Sequence, residues 1–180
     1  MHLTVDAELA PSLAGRQLSY DDFYAASAPR LVGQLHAMTG DLTEAQDCVQ
    51  EAFARAWRRW DRVQAYDSPE AWVRTVAHRL AVSRFRRTRT GVRALRRHGP
   101  PADAPGTTPD RVALVAALVT LPEVQRRAIV LHHVAGLSVD EVAAETGSPS
   151  GTVKARLARG RAALAVLLSD DPTPGRSTSR

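Results

Sequence analysis

Two blocks of basic side chains are the residues of this 180-residue chain whose types and spacing best suit chemistry with a ligand. Residues 74–97 hold nine arginines and no acid, and residues 148–168 hold four basic side chains and no acid. The whole chain carries 24 Lys and Arg against 19 Asp and Glu, so the remainder is acidic. Basic side chains that contact phosphates release condensed counterions, which favours binding to a polyphosphate. Two acid-free blocks on an acidic chain therefore favour a nucleic acid as the partner over two solvated helix faces.

Side chains for catalysis or metal binding are not grouped in the sequence. Cys48 is the only cysteine, which excludes an internal disulfide and a cysteine-rich zinc site, and we expect it to be a small buried side chain. His132 and His133 are adjacent and cannot share one metal from one helix face. No Ser-His-Asp set, phosphate-binding loop or carboxylate pair is evident, so we expect no enzyme activity, no metal and no cofactor. The lack of a long apolar run or a secretory signal predicts a cytoplasmic protein without membrane insertion.

Hydrophobic periodicity and capping signals predict that helices position both basic blocks. Apolar residues at steps of three and four predict a helix that ends at Gly40, a second opened by a capping box at residues 43–46, and a third opened by Ser68 and Pro69. Nothing alternates convincingly at period two, so the expected fold class is all-α. Four shorter helices are expected later in the chain, and they open at Thr108, at a capping box in residues 120–123, at a second capping box in residues 138–141, and at Ser148.

A segment rich in proline and glycine divides the chain into two small helical domains. Residues 98–110 hold four prolines and two glycines, which neither a helix nor a central strand accommodates. Because this linker carries almost no apolar side chain, we expect it to be flexible, and we expect the halves to fold independently and to move freely until both are engaged. The expected organisation is a flexible extension (1–19), a first domain (20–97), the linker (98–110), a second domain (111–168) and a disordered tail (169–180).

Residues 137–157 have the spacing of a helix-turn-helix. A short capped helix, a glycine-centred turn and a second helix with a small, polar first turn fit the major groove of DNA. Ser150, Gly151 and Thr152 keep that end slim, so backbone N–H groups can approach a phosphate. An arginine on the groove-facing surface can read guanine through two hydrogen bonds. A helical hairpin with a basic face is the alternative reading of this spacing. The residues expected on or beside the groove-facing surface are Lys154, Ala155, Arg156 and Arg159.

The motifs of both halves resemble those of the extracytoplasmic-function sigma factors of bacterial RNA polymerase. Residues 121–131 (LPEVQRRAIVL), Gly136-Leu-Ser, Glu141-Val-Ala and 151–157 (GTVKARL) resemble sigma region 4. Residues 47–57 (DCVQEAFARAW) resemble region 2.2, and residues 68–81 (SPEAWVRTVAHRLA) with the arginines after them resemble regions 2.3 and 2.4. Response regulators share Gly-Leu-Ser and Gly-Thr-Val-Lys, but they would carry an α/β receiver, whose strand is missing from this pattern.

The resemblance implies a sigma factor that binds core RNA polymerase and directs promoter recognition, promoter melting and transcription initiation. Its implied partners are promoter DNA and the β′ clamp helices and β flap of core polymerase, with an anti-sigma factor as a further candidate. Contact with the clamp helices is implied for Asp47, Gln50 and Glu51. Contact with the −10 element is implied for Tyr66, Asp67, His78, Arg79, Val82, Arg84, Arg86 and Arg87. Contact with the −35 element is implied for Ser150, Thr152, Lys154, Ala155, Arg156 and Arg159.

The sequence departs from the family at one place, and it leaves two other classes of protein open. Many family members carry Arg-Asn where this chain has His78-Arg79, so the preference at the −10 element does not follow from it. A stand-alone helix-turn-helix regulator, which would bind DNA tightly without polymerase, is the alternative from another class. A helical protein that binds RNA or a membrane surface through its basic blocks is a third class that the sequence leaves open.

By their positions, Trp57, Trp60 and Trp72 are expected to pack in the core rather than to stack on bases.

Overall fold

Helices make up all the regular structure of the residues that the computed structural model describes, which are 19–91 and 108–169, with side chains for all but 88–91. This confirms the predicted fold class. The extension, most of the linker, the tail and the arginines beyond residue 91 lie outside the described residues. The first group of helices is α1 (Tyr20–Thr39), α2 (Leu42–Trp57), α3 (Trp60–Val63) and α4 (Pro69–Gly91). The second is α5 (Pro109–Thr120), α6 (Glu123–Ile129), which continues into a π-helical turn (Val130–Val134), α7 (Val139–Thr146) and α8 (Ser150–Ser169).

Helix α2 begins earlier than its predicted capping box. Gly40 ends α1 in the left-handed region with a φ of 77°, where a side chain would be strained. This turn places Asp41 at the N-cap of α2, and its carboxylate accepts a hydrogen bond from the Glu44 N–H at 2.9 Å. The predicted box at residues 43–46 is therefore wrong, because the aspartate beside the glycine takes the capping role.

The apolar faces of α1, α2 and α4 pack together. Leu31 of α1, Val49 and Phe53 of α2, and Val73 of α4 are almost fully buried. Burying each such side chain contributes about 1.5–3 kcal/mol relative to leaving it in water. The polar residues of α2 consequently lie on the opposite face of the helix, which fixes where a partner can reach them.

Two capping boxes were expected in the second group, and the structure contains one of them. The box at Ser138 is confirmed, because its hydroxyl accepts from the Glu141 N–H at 3.2 Å and its own N–H donates to the Glu141 carboxylate at 2.8 Å. The box expected at Thr120 is wrong. Its hydroxyl donates backwards to the Ala117 carbonyl at 2.7 Å, and α6 begins only at Glu123.

The two groups of helices pack against each other, contrary to the free movement expected of the halves. One continuous cluster of buried apolar side chains includes residues of both groups, among them Leu31 and Leu118. Helix α5 lies so close to α1 that a Cβ atom at Gly40 would be 2.6 Å from Cγ1 of Val119. Helix α5 also begins at Pro109, two residues before the expected start of the second domain. In this structure the halves form a closed arrangement.

Candidate nucleic-acid interface

Helices α7 and α8 form the predicted helix-turn-helix. Val142 of α7 and Val153 and Leu157 of α8 are buried and hold the two helices together. Gly147 joins them in the left-handed region with a φ of 61°. This packing directs the opposite face of α8 outwards, as a recognition helix requires.

The structure divides the six residues expected at the −35 element into two sets. Arg156 is partly buried, and its Nη1 donates to Oγ of Ser148 at 2.8 Å. The hydroxyl of Ser150 donates to the Asp140 carboxylate at 2.8 Å, and Thr152 is half-buried. Arg156 and Ser150 therefore hold the turn and the helix start in place. The set with exposed side chains is Lys154, Ala155 and Arg159.

Four residues expected at the −10 element form one face of α4, and this face looks onto the second group of helices. His78, Arg79, Val82 and Arg86 line a groove whose other wall contains Glu123 and Arg127 of α6. Arg87 lines the same groove. The structure therefore brings these five residues together beside α6, where His78 and Val82 are partly buried and Arg79, Arg86 and Arg87 stay exposed.

His78 is the residue of this face that α6 covers most closely. Its side chain is 12% exposed, and its Nε2 lies 3.9 Å from a carboxylate oxygen of Glu123. Burial, with smaller effects from Arg127, Arg126 and Arg79, lowers the pKa of His78 to about 4. His78 is therefore a neutral imidazole near pH 7 in this arrangement.

Arg84 lies apart from that groove, on a different face of α4. Its Nη1 is 3.5 Å from Oε1 of Glu44 and 3.9 Å from Oδ2 of Asp47. Arg84 was expected at the −10 element and Asp47 at the polymerase. The structure places the two side by side between α4 and α2.

Tyr66 and Asp67 lie in the loop between α3 and α4. Both side chains are exposed, and the Tyr66 N–H donates to the Val63 carbonyl at 3.2 Å. Ser68 caps α4 by accepting from the Ala71 N–H at 3.2 Å. Hydrogen bonds therefore hold both ends of the loop, and the exposed side chains of Tyr66 and Asp67 lie between them.

The acidic and amide edge of α2 is open to solvent. Asp47 and Gln50 are exposed and Glu51 is partly exposed, opposite the buried Val49 and Phe53. A carboxylate oxygen of Glu51 accepts from Nε of Arg55 at 2.8 Å, and this hydrogen bond lowers the pKa of Glu51. The three residues predicted for polymerase contact therefore share one accessible face.

Trp57 extends that face and was missed as a surface residue. Its side chain is 61% exposed, because it is the last residue of α2 and the chain turns away after it. Its ring lies edge-on to Tyr20, with centroids 4.8 Å apart, and it lines a shallow groove with Tyr24 and Gln50. Burial was predicted wrongly for Trp57. The seven-residue spacing from Gln50 places both on the same helix face and could have revealed this.

The other two tryptophans and Cys48 agree with the sequence analysis. Trp60 and Trp72 are partly buried against the core. Cys48 is fully buried, and burial together with a 3.3 Å hydrogen bond to Glu44 raises the pKa of its thiol to about 12. Among the described residues, no three His, Cys, Asp or Glu side chains come close enough to hold a metal ion. No helix in that part of the chain has the length and apolar composition to cross a membrane.

Comparison with known proteins gives the class to which this fold and these surfaces belong. The profile of Sigma-70 region 2 matches residues 23–90, and that of Sigma-70 region 4 matches residues 111–164. The ECF RNA polymerase sigma factor EcfG of Rhodopseudomonas palustris is 33% identical over 157 residues, which cover 84% of this chain and 85% of EcfG. The ECF RNA polymerase sigma factor SigM of Mycobacterium tuberculosis is 32% identical over 170 residues, which cover 93% of this chain and 86% of SigM. The chain belongs to the extracytoplasmic-function sigma factors of the sigma-70 family.

A solved structure agrees with this assignment. The sigma factor RpoE of Bartonella quintana, determined in complex with the anti-sigma factor NepR, superposes with a TM-score of 0.71 and 28% sequence identity. The match covers 85% of this chain and 98% of that chain. The predicted family is confirmed, and with it the function of a sigma factor, which binds core RNA polymerase and promoter DNA and directs transcription initiation. Sigma factors are not a class of enzymes, and the stand-alone regulator is not favoured.

Proposed function

We propose that this sigma factor divides promoter recognition among three surfaces. Helix α8 reads the −35 element, α4 with the loop before it binds the −10 element, and α2 binds core polymerase. The observation that carries this proposal is the position of Lys154, Ala155 and Arg159 on the open face of α8, opposite the buried Val153 and Leu157. A helix held in this way can enter a major groove without disturbing its own packing.

The −10 element is assigned to α4 because several of its basic residues lie on one face and the helix follows directly from an exposed loop. His78, Arg79 and Arg86 share a helix face, so several can approach one DNA strand together. Tyr66 and Asp67 offer a ring for stacking and a carboxylate for an exocyclic amine. Extruding a base requires contacts of this kind to offset the lost pairing and stacking.

Core polymerase is assigned to the α2 face of Asp47, Gln50 and Glu51. This face is accessible, whereas α6 lies against the −10 face of α4 and covers His78. We further assign an anti-sigma factor as a partner, on the support of the Bartonella quintana relative solved with one. The place of action is the cytoplasm, since the function requires core RNA polymerase.

A randomised promoter library tests the DNA assignments. Transcription with core polymerase is measured for Lys154→Ala, Arg159→Ala and Arg87→Ala, with Arg161→Ala as the control on α8, since Arg161 is exposed but outside the proposed reading set. Loss of a base contact at residue 154 or 159 should cost about 1–3 kcal/mol at one −35 position and relax preference there. Loss of a phosphate contact at residue 87 should weaken all promoters similarly and reduce the salt slope by roughly one.

The control decides how the library is read. Arg161→Ala should leave −35 preference as in the wild type. If Arg159→Ala also leaves that preference unchanged and lowers every promoter equally, the placement of α8 as the reading helix is wrong.

A further inference from the structure

One ion pair joins the two groups of helices from within their interface. The guanidinium of Arg74 on α4 binds the carboxylate of Glu145 at the end of α7, with Nη2–Oε2 at 2.8 Å and Nε at 3.1 Å from both oxygens. Both side chains are only 7% exposed. Two aligned hydrogen bonds between charged groups are stronger and more specific than a single contact. This geometry is that of a specific buried ion pair rather than of a surface pair formed by chance.

The surroundings of the pair complete its hydrogen bonding. Nη1 of Arg74 lies 3.5 Å from Oε1 of Gln34 and 3.6 Å from Oε1 of Glu70. Arg127 of α6 donates to the backbone carbonyl of Glu145 at 3.4 Å. Because buried charges are costly unless they are paired, Arg74 depends at this place on Glu145 as its closest charge partner.

Apolar contacts close the same interface at its other end. Leu118 of α5 is almost fully buried, and Val119 lies against Gly40 at the end of α1. Arg111 of α5 also reaches α1, where a Cβ atom at Gly33 would be 3.1 Å from its Nη2. The second group is therefore held against the first at two separate places.

We propose that the Arg74–Glu145 pair is a latch that holds the free sigma factor closed, with α6 over the −10 face of α4, until core polymerase opens it. The proposal rests on the assignment of that face to the −10 element. In the closed state α6 covers His78, and Glu123 places a carboxylate in the groove that a DNA phosphate would have to enter. Helix α6 thereby blocks the approach of DNA to this groove sterically, although Arg127 on the same wall offsets the charge of Glu123.

The α2 face proposed to bind polymerase lies outside the interface that the latch closes. Asp47 and Gln50 remain exposed in the closed state. Core polymerase can therefore bind α2 first and separate the two groups afterwards. The latch makes DNA binding conditional on polymerase, because in the free chain α6 occupies the space beside the −10 face and covers His78.

Interdomain distance in solution tests the latch. Spin labels at Ala26→Cys on α1 and Ala162→Cys on α8, both exposed positions, are placed in a Cys48→Ala background. Distances are measured for the wild-type interface, for Glu145→Gln and for Glu145→Gln with Val119→Glu. Arg30→Gln is the matched control, because it breaks the 2.7 Å pair with Glu70 inside the first group and keeps both residues of the Arg74–Glu145 pair. Circular dichroism verifies that every variant is folded.

The free wild type and Arg30→Gln should give one short, narrow distance. Glu145→Gln should add a population at longer distance, with the open-to-closed ratio raised about tenfold or more, and the double variant should be mostly open. Core RNA polymerase should lengthen the wild-type distance as well. Distances that stay short in the double variant and in the polymerase complex would overturn the latch.

A DNA-binding measurement tests the masking. The probe is a fluorescein-labelled, mixed-sequence single-stranded 20-mer, and the opened variants should bind it at least about tenfold more tightly than the wild type. Longer distances without tighter binding would overturn the masking of α4 by α6. Failure of the −35 or polymerase assignments would appear in the promoter library and in polymerase binding, and these readouts do not depend on the latch.

Discussion

Gly160 lies where α8 crosses α6, and an added methyl group there tests the packing that orients the recognition helix. A Cβ atom at this position would be 2.8 Å from Cγ1 and 3.2 Å from Cδ1 of Ile129. Ile129 is buried and its Cγ1 atom is not a free end, so it cannot move aside cheaply. We therefore expect Gly160→Ala to destabilise the protein, although alanine is the better helix former.

The magnitude follows from two opposing effects. Replacing a mid-helix glycine by alanine gains about 1 kcal/mol, and overpacking of a dense core costs about 1–3 kcal/mol. The net loss is up to about 2 kcal/mol. For a chain of this size, a loss of 2 kcal/mol lowers the melting temperature by roughly 4–8 °C. Gly151→Ala, in the first turn of the same helix, is the control, because nothing lies within 4 Å of its Cβ position. It should not lower the melting temperature.

Thermal and urea unfolding of a double-mutant cycle measure the contact itself. Ile129→Ala alone should cost about 2–5 kcal/mol because it leaves a cavity. On that background Gly160→Ala should become stabilising, since its methyl group enters the space vacated by Ile129. The reasoning is refuted if Gly160→Ala has the same effect in both backgrounds.

Three further predictions concern the polymerase face, acid stability and the thiol. Gln50→Ala combined with Glu51→Arg should abolish core binding and run-off transcription, while the melting curve stays near that of the wild type. Asp22→Arg changes an exposed acid of α1 and should leave core binding intact. Undiminished core binding by the double variant would remove the case for the α2 face. The pKa of His78 is about 4 in the folded chain against 6.5 normally, so the unfolded chain takes up the proton first as the pH falls. The free energy of unfolding should therefore fall between pH 6.5 and pH 4, by up to about 3 kcal/mol. A His78→Gln variant that keeps the full fall would contradict this. Cys48, buried and with a pKa near 12, should react with iodoacetamide at pH 8 only as fast as the protein opens, and rapid labelling of the native protein would show that the thiol is accessible.

Elements with strong local signals could be predicted from the sequence. The box at Ser138 was predictable because both of its hydrogen bonds join residues three apart. The cap of α2 was not, since Asp41 and Thr43 are both good N-cap residues and the choice depends on the left-handed turn at Gly40. Local propensity leaves such competitions undecided when two caps lie within two residues of each other.

Features that depend on distant contacts could not be predicted. Arg74 and Glu145 are 71 positions apart, and neither lies in a motif that names the other. The sequence pattern does not distinguish the arginines of α4 from one another, yet Arg84 faces α2 and Arg86 faces α6. The exposed side of a helix that is basic on several faces depends on which neighbours cover it, and this requires the tertiary structure.

The π-helical turn at Val130–Val134 sets the direction in which the chain leaves α6. The Ala135 N–H donates to the Val130 carbonyl at 2.9 Å, a span of five residues rather than four. One extra residue corresponds to roughly 100° of rotation about a helix axis. The chain therefore leaves α6 in a direction that an unbroken α-helix would not give, and it enters the helix-turn-helix from there. Deleting one residue of this turn would rotate by roughly 100° the point at which the chain leaves α6, so the path of the chain into the helix-turn-helix depends on one inserted residue outside it.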